Sequence, residues 1–398
     1  MAEFPPGDDY WLLPEGVEET LPLQAEHLET LRRRLLDLFY SWGYELVAPP
    51  LIEYLDSLLT GTGKDLELRT FTLVDQLSGR MLGVRADMTP QVARIDAHHL
   101  KSDVPVRLCY LGEVLHTRPD SAMATRSPLQ VGAELFGHDG VESDAEILRL
   151  MVATLCAAGL DRIHIDLGHV GIFRSLARAA QLSDVQEKIL FEALQRKAIP
   201  EIERFLDALP IDDALSEMLA GLANLNGGKV VLEQARSLLK EADASVHDAL
   251  DSLQQIAAIM RDSAPGVTLH FDLAELRGYR YQTGLVFAAF VPGHGQEIAR
   301  GGRYNQIGKV FGRARPATGF STDLKTLVAL SPSEAVHSMM IFAPAVDDAA
   351  LHKVIQQLRE QGERVVVELP GQVDGHQQMR CNRMLVQSDQ GWQVKPFG

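Results

Sequence analysis

The chain has 398 residues, 46% of them hydrophobic, enough for about two or three domains with a sizeable core. Its 38 Lys and Arg stand against 54 Asp and Glu, a formal net charge of -16 that opposes extended contact with phosphate backbones, so no nucleic-acid partner is expected. Cys109, Cys156 and Cys381 are odd in number and far apart, which supports neither a disulfide framework nor a thiolate metal site. The N-terminal MAEFPPGDDYW lacks a charged-then-apolar secretory pattern, and no apolar run approaches the about 20 residues that span a bilayer. A cytoplasmic location with no membrane partner is the expectation.

Leu28, Leu31, Leu35, Leu38, Phe39 and Trp42 recur at steps of three and four and predict a helix over 24–42, ended by Gly43. A strand over 44–48 is stopped by Pro49-Pro50, because proline lacks the N–H that a central ladder needs. Strands over 70–75 and 81–87 flank Ser78-Gly79 as a hairpin, and a short helix over 90–99 begins with Pro90. Between them, Asp87-Met88-Thr89 places a carboxylate and a hydroxyl at a strand end. Strands over 105–116 and 128–136 follow, joined by a loop of small and charged residues. In the second strand Leu129, Val131, Ala133 and Leu135 share one face, and Gln130, Gly132 and Glu134 the other. That polar face has a gap at its centre. It either lines a pocket for a small amine or faces water on an ordinary half-exposed strand.

Ser143 and Glu146 form a capping-box pattern ahead of a helix over 147–160, and 164–167 reads as a strand. From 171 to 262 the pattern is helical with no strand signal, and the β pattern resumes at Val267, which predicts a helical domain inserted between two parts of one antiparallel sheet. Strands over 269–273 and 285–291 lead through Pro292-Gly293-His294-Gly295 into a return strand. This hairpin carries Arg277 beside Gly278 at one end and Arg300-Gly301-Gly302-Arg303 at the other. A guanidinium next to bare backbone suits a carboxylate; solvated arginines on a surface hairpin are the alternative. The basic runs Arg32-Arg33-Arg34 and 300–315 read as solvated helix surface and pocket lining. A helix over 319–330 packs on the sheet, Pro332 opens a linker, and segments at 338–342, 349–361, 364–369 and 384–387 predict a small β-α-β-β unit.

Together these pieces, from about residue 8 to 330, resemble the core of the class II aminoacyl-tRNA synthetases, specifically the histidyl-tRNA synthetases. The helix leading into Pro50 looks like the first motif of that class. Arg85-Ala86-Asp87-Met88-Thr89-Pro90 is similar to the family's amino-acid-binding turn, and Tyr110-Leu111-Gly112 through Gln130-Val131-Gly132-Ala133-Glu134 to its second motif. Arg277-Gly278-Tyr279-Arg280-Tyr281-Gln282-Thr283-Gly284, with Gly301-Gly302-Arg303-Tyr304, resembles the histidine-specific segment. The resemblance implies an α+β fold: an antiparallel sheet flanked by helices over 1–330, a helical insertion at 171–262 within it, and a small C-terminal α/β domain over 331–398. It also implies a histidine site in which Asp87, Thr89 and Gln130 hold the α-amino group, Glu134 the imidazole and Arg277 the carboxylate, with Tyr281 lining the ring pocket. Two positions depart from the family: Asp87 stands where Glu is usual, and Gln282 replaces a second tyrosine.

The nucleotide half departs further. The second motif's Arg-x-Glu falls on His116 and Arg118, and the third motif's Gly-x-Glu-Arg on Asp323-Leu324-Lys325-Thr326. Each lost guanidinium removes transition-state stabilisation of about 3 kcal/mol, and Asp323 places an anion where phosphate would lie. Arg126 is either a remaining phosphate contact or a solvated loop residue. No catalytic residue, cofactor or metal site is expected. The segment after Pro332 is also too short for the usual anticodon-binding domain. A synthetase-like chain that keeps the amino-acid pocket and loses these parts is similar to the regulatory subunits of ATP phosphoribosyltransferase, as are ELRGYRYQTGLVFAAF and the tail KPFG. That resemblance implies a non-catalytic subunit in histidine biosynthesis that binds histidine and activates and feedback-regulates a short-form catalytic subunit, as a homodimer within a hetero-oligomer. A divergent histidine-activating enzyme is the alternative.

Overall fold

Leu31, Leu35 and Phe39 form the buried stripe of the helix Pro22–Ser41, matching the spacing in the sequence, and that stripe joins the main core of the chain. The structure, a computed structural model, describes residues 12–61, 64–119, 124–275, 281–332, 340–371 and 381–397. It divides into two units, Met1–Pro332 and Ser333–Gly398.

The strands of the first unit, in chain order, are β1 (Glu45–Leu46), β2 (Ile52–Tyr54), β3 (Phe71–Val74), β4 (Met81–Val84), β5 (Val106–Glu113) and β6 (Leu129–Phe136). They continue with β7 (His164–His169), β8 (Asn226–Gly227), β9 (Thr268–Asp272), β10 (Leu285–Phe290), β11 (Ala299–Arg303) and β12 (Ala317–Asp323). Among the described residues nine of them make one sheet in the order β1-β5-β6-β12-β11-β10-β7-β9-β8, and β2-β4-β3 make a small second sheet. The large sheet is antiparallel through its centre, with parallel pairs only at β1–β5 and β7–β9. β5 to β6, β10 to β11 and β3 to β4 pair as the sequence predicts. Helices Val141–Ala157 and Ala244–Ser263 join the helix Pro22–Ser41 in covering the sheet's apolar face.

Several expectations are corrected. Residues 319–323 belong to β12, and the helix starts only at Leu324. β12 lies between β6 and β11 and is largely buried on both faces, and its residues ATGFSTD are small or polar apart from Phe320, so no period-two alternation distinguishes it from a helix. The helix after β6 begins at Val141 with Gly140 as its cap. Ser143 Oγ donates to the Gly140 carbonyl (2.7 Å), while Glu146 forms a two-pronged pair with Arg107 (2.7 and 2.8 Å). The charged pair outcompetes the capping box for that carboxylate. The helix begun at Thr89 turns to π geometry over Ile95–Leu100. Arg303 and Arg315 are neither solvated nor pocket lining: both are buried, Arg303 against Asp144 (3.0 Å) and Arg315 against Asp96 (2.8 Å). The insertion contains the two-residue strand β8, which pairs with β9 and ties the helices back to the sheet.

The second unit is a sheet of order β14-β13-β15-β16, made of β13 (Met340–Ala343), β14 (Arg364–Val367), β15 (Cys381–Ser388) and β16 (Gly391–Pro396). Leu351 and Ile355 of the helix Ala349–Glu360 pack on Ile341, Val365 and Leu385. β16 has no counterpart in the sequence reading, because glycine, lysine and proline dilute its pattern. No helix of the described residues is long and apolar enough to cross a membrane.

Candidate functional site

The pairing of three strands builds the centre of the site. β6 lies between β5 and β12, so Glu134 has Leu108 opposite on one side and Gly319 on the other, while Gly132 has Tyr110 and Ser321. Both glycines are required by space. A Cβ at 319 would lie 1.5 Å from Glu134 Oε2, and one at 132 would lie 2.5 Å from both Tyr110 Oη and the Phe320 carbonyl. The gap read in the sequence at Gly132 is therefore not itself the pocket. It admits the phenol of Tyr110, which donates to Glu134.

Glu134 is 1% exposed and collects three hydroxyl donors. Thr89 Oγ1 (3.0 Å) and Tyr110 Oη (2.9 Å) donate to Oε1, and Tyr304 Oη donates to Oε2. Burial pushes its carboxyl up to about 8, against the pull of the three hydroxyls. Burial and the Glu134 charge raise Tyr110, Tyr304 and Tyr281 well above the usual phenol range, so all three keep their protons. The Tyr281 ring lies 4.9 Å from that of Tyr304, centroid to centroid.

Thr89, Glu134, Tyr281 and Tyr304 face a cavity of about 400 Å³, which Asp87, Arg69 and Gln282 also line. Within it, the Tyr281 hydroxyl and Gln282 Oε1 are buried without a hydrogen-bond partner among the described residues. Buried polar atoms are normally satisfied, so a donor and an acceptor left over in one cavity point to a ligand. Asp87 is positioned by its neighbours: its Oδ1 accepts from the Thr89 amide (3.0 Å) and from Gln130 Nε2 (2.8 Å). Gln130 Oε1 accepts from the Met88 amide (2.9 Å). The structure thus brings Asp87, Thr89, Glu134 and Tyr281 to the cavity and uses both ends of Gln130 to orient Asp87. Arg277 lies outside the described residues.

On the nucleotide side the candidate groups are engaged elsewhere. Asp323 caps the helix Leu324–Leu330, accepting from Lys325 N, Thr326 N and Thr326 Oγ1, and also from Leu129 N. Lys325 Nζ donates to the Ser127 carbonyl (2.6 Å). Arg126 Nε donates to the His116 carbonyl (3.0 Å) and its Nη1 to the Glu15 carbonyl (3.1 Å). The loop arginine is therefore a brace for the N-terminal segment. Sequence reasoning did not assign Tyr110, Tyr304 or Arg69 to the site. Tyr110 was signalled by its position opposite Gly132, which becomes visible only once the register is known.

Comparison with known proteins identifies the fold and the family. The histidyl-tRNA synthetase family model matches residues 16–327. A solved structure described as an ATP phosphoribosyltransferase regulatory subunit/histidyl-tRNA synthetase from Bacillus halodurans superposes with a TM-score of 0.81 at 26% identity, covering 93% of this chain and 96% of that one. Histidyl-tRNA synthetase from Nostoc shares the fold at a TM-score of 0.79, 19% identity and 97% and 94% coverage. The fold and the family match thus define a class II, histidyl-tRNA synthetase-like protein. Residues 338–395 match the model of the ATP phosphoribosyltransferase subunit HisZ C-terminal domain. ATP phosphoribosyltransferase regulatory subunits from Alkalilimnicola ehrlichii and Thioalkalivibrio sulfidiphilus are 58% and 59% identical, over 98% and 96% of this chain and 98% of each relative. The chain belongs to the family of ATP phosphoribosyltransferase regulatory subunits and, as such, has a regulatory and non-catalytic role in histidine biosynthesis.

Proposed function

We propose that this chain binds free histidine in the cavity around Glu134 and that occupancy of the cavity sets the activity of a short-form catalytic subunit. The observation that carries this reading is the buried carboxyl ringed by three hydroxyls, beside a Tyr281 hydroxyl and a Gln282 carbonyl oxygen that have no partner among the described residues. One nitrogen of the imidazole meets Glu134 and shares a proton with it, and the Tyr281 hydroxyl and Gln282 oxygen offer a donor and an acceptor to the other. Asp87, fixed by Gln130 and the Thr89 amide, takes the α-ammonium group, and Thr89 supports it. Arg277 takes the carboxylate. Feedback then requires only that histidine prefer one state of the assembly by about 1 to 3 kcal/mol.

The core over 1–330, with its insertion at 171–262, serves as the sensor and 331–398 as a separate domain. Exposed Leu51, Ile52, Leu73, Val74, Leu77 and Met81 give the small sheet β2-β4-β3 and its turn an apolar surface suited to a second copy of the chain. That surface supports a homodimer, and the larger hetero-oligomer rests on the resemblance to regulatory subunits, which implies a catalytic partner. Calorimetry with histidine tests the reading. The intact chain binds, Glu134→Ala does not, and the catalytic subunit gains activity and histidine sensitivity only when the intact chain is present. Histidine-dependent exchange of pyrophosphate into ATP by the isolated chain would overturn it in favour of an activating enzyme.

A further inference from the structure

We infer that Arg69 is a second oxyanion anchor of the Glu134 cavity, beside the carboxylate role proposed for Arg277, and neither the sequence pattern nor the comparisons point to it. Arg69 closes the short helix Lys64–Arg69 and lines the same cavity as Asp87 and Glu134. Its guanidinium is held in place. The Ala86 carbonyl accepts from His116 Nε2 (2.9 Å), and Arg69 Nη2 lies against the same imidazole, 3.0 Å from Nδ1 and 3.2 Å from Nε2. The backbone is fixed as well: the Thr117 amide donates to the Arg69 carbonyl (3.0 Å) and Thr117 Oγ1 to that of Leu68 (2.6 Å). His116 occupies the position where the synthetase resemblance places an arginine. Here a guanidinium arrives at that same imidazole from a different segment of the chain.

The consequence follows from charge placement. Ala86, the carbonyl at the end of this relay, immediately precedes Asp87, so a fixed cation and a fixed carboxylate line one cavity, joined through a single peptide. An α-amino acid presents the complementary pair, an ammonium and a carboxylate on one carbon. The inference rests on the histidine reading for its ligand, but the chemistry it assigns is that of any oxyanion, and a free phosphate group is the other source.

The test is calorimetry on the full chain and on Arg69→Gln and Arg69→Lys, with three probes: histidine, histidinol, which lacks the carboxylate, and inorganic pyrophosphate. With the ligand's carboxylate on Arg69, Arg69→Gln weakens histidine by about tenfold to a hundredfold, leaves histidinol unchanged, and Arg69→Lys recovers part of the loss. With a separate phosphate there, Arg69→Gln abolishes pyrophosphate binding and leaves both imidazole ligands unchanged. Either result supports the assignment. A Gln variant that binds all three probes as the parent does overturns it, as does a parent chain that binds pyrophosphate nowhere and prefers histidine to histidinol to the same degree with and without Arg69. A parent that fails to bind histidine would instead sink the histidine reading.

Discussion

Glu134→Gln tests the electrostatics of the cavity without reference to any ligand. Burial moves the Glu134 carboxyl from 4.5 up to about 8. Between those values the folded chain keeps a proton that the unfolded chain has released, so this group makes stability fall as pH rises. The fall begins above 4.5 and levels off above about 8. At about 1.4 kcal/mol per unit, the whole span is worth roughly 5 kcal/mol, and the interval from about pH 5.5 to 7.5 roughly 3 kcal/mol. Glutamine keeps the shape and cannot titrate. Urea unfolding followed by circular dichroism, run without histidine at matched ionic strength, should show the parent losing roughly 3 kcal/mol relative to the variant across that interval. Other groups do not disturb the comparison. His169, lowered to about 4 by burial and by Arg303 and Arg174, contributes a slope of opposite sign to both proteins equally. Stability curves that run parallel for parent and variant would refute the claim that Glu134 is held neutral in the folded chain.

Histidine affinity should be bell-shaped in pH, since Glu134 at about 8 and a free imidazole at about 6.5 share one proton in the complex. Binding must shed a proton below that window and take one up above it, losing about tenfold per unit on each side, and calorimetry in buffers of different ionisation enthalpy reads the proton count directly. Gly319→Ala puts a methyl within 1.5 Å of Glu134 Oε2 and 2.8 Å of the Ala133 carbonyl, so it should abolish histidine binding and lower the melting temperature. Arg303→Met leaves Asp144 buried without its cation and should destabilise the chain by about 3 to 5 kcal/mol in urea titrations. Gln130→Leu frees Asp87 from its amide clamp and should weaken histidine by about tenfold, with the secondary structure by circular dichroism unchanged.

What could be read from sequence followed the chemistry of exposure. β6 alternates because it is polar on one face, so Gln130 and Glu134 announced themselves together. β12 is covered on both faces and lost that signature, and a strand at the centre of the sheet passed for the start of a helix. Asp87, Thr89 and Glu134 were legible singly because strand ends and strand periods constrain them locally, and the synthetase resemblance joined them into one site. Tyr110 and Arg69 were not, since their roles depend on pairing register and on a contact between residues 47 positions apart. The capping box failed for a related reason: its glutamate had a distant arginine, Arg107, to satisfy.

The helical insertion is attached to the cavity wall by polar contacts rather than by packing alone. Arg174, in the helix Val170–Ala179, donates to the Gln282 carbonyl (3.1 Å), and Lys197 Nζ reaches Asp272 (2.7 Å) at the end of β9. A tilt of those helices therefore pulls directly on the residue whose amide faces the cavity.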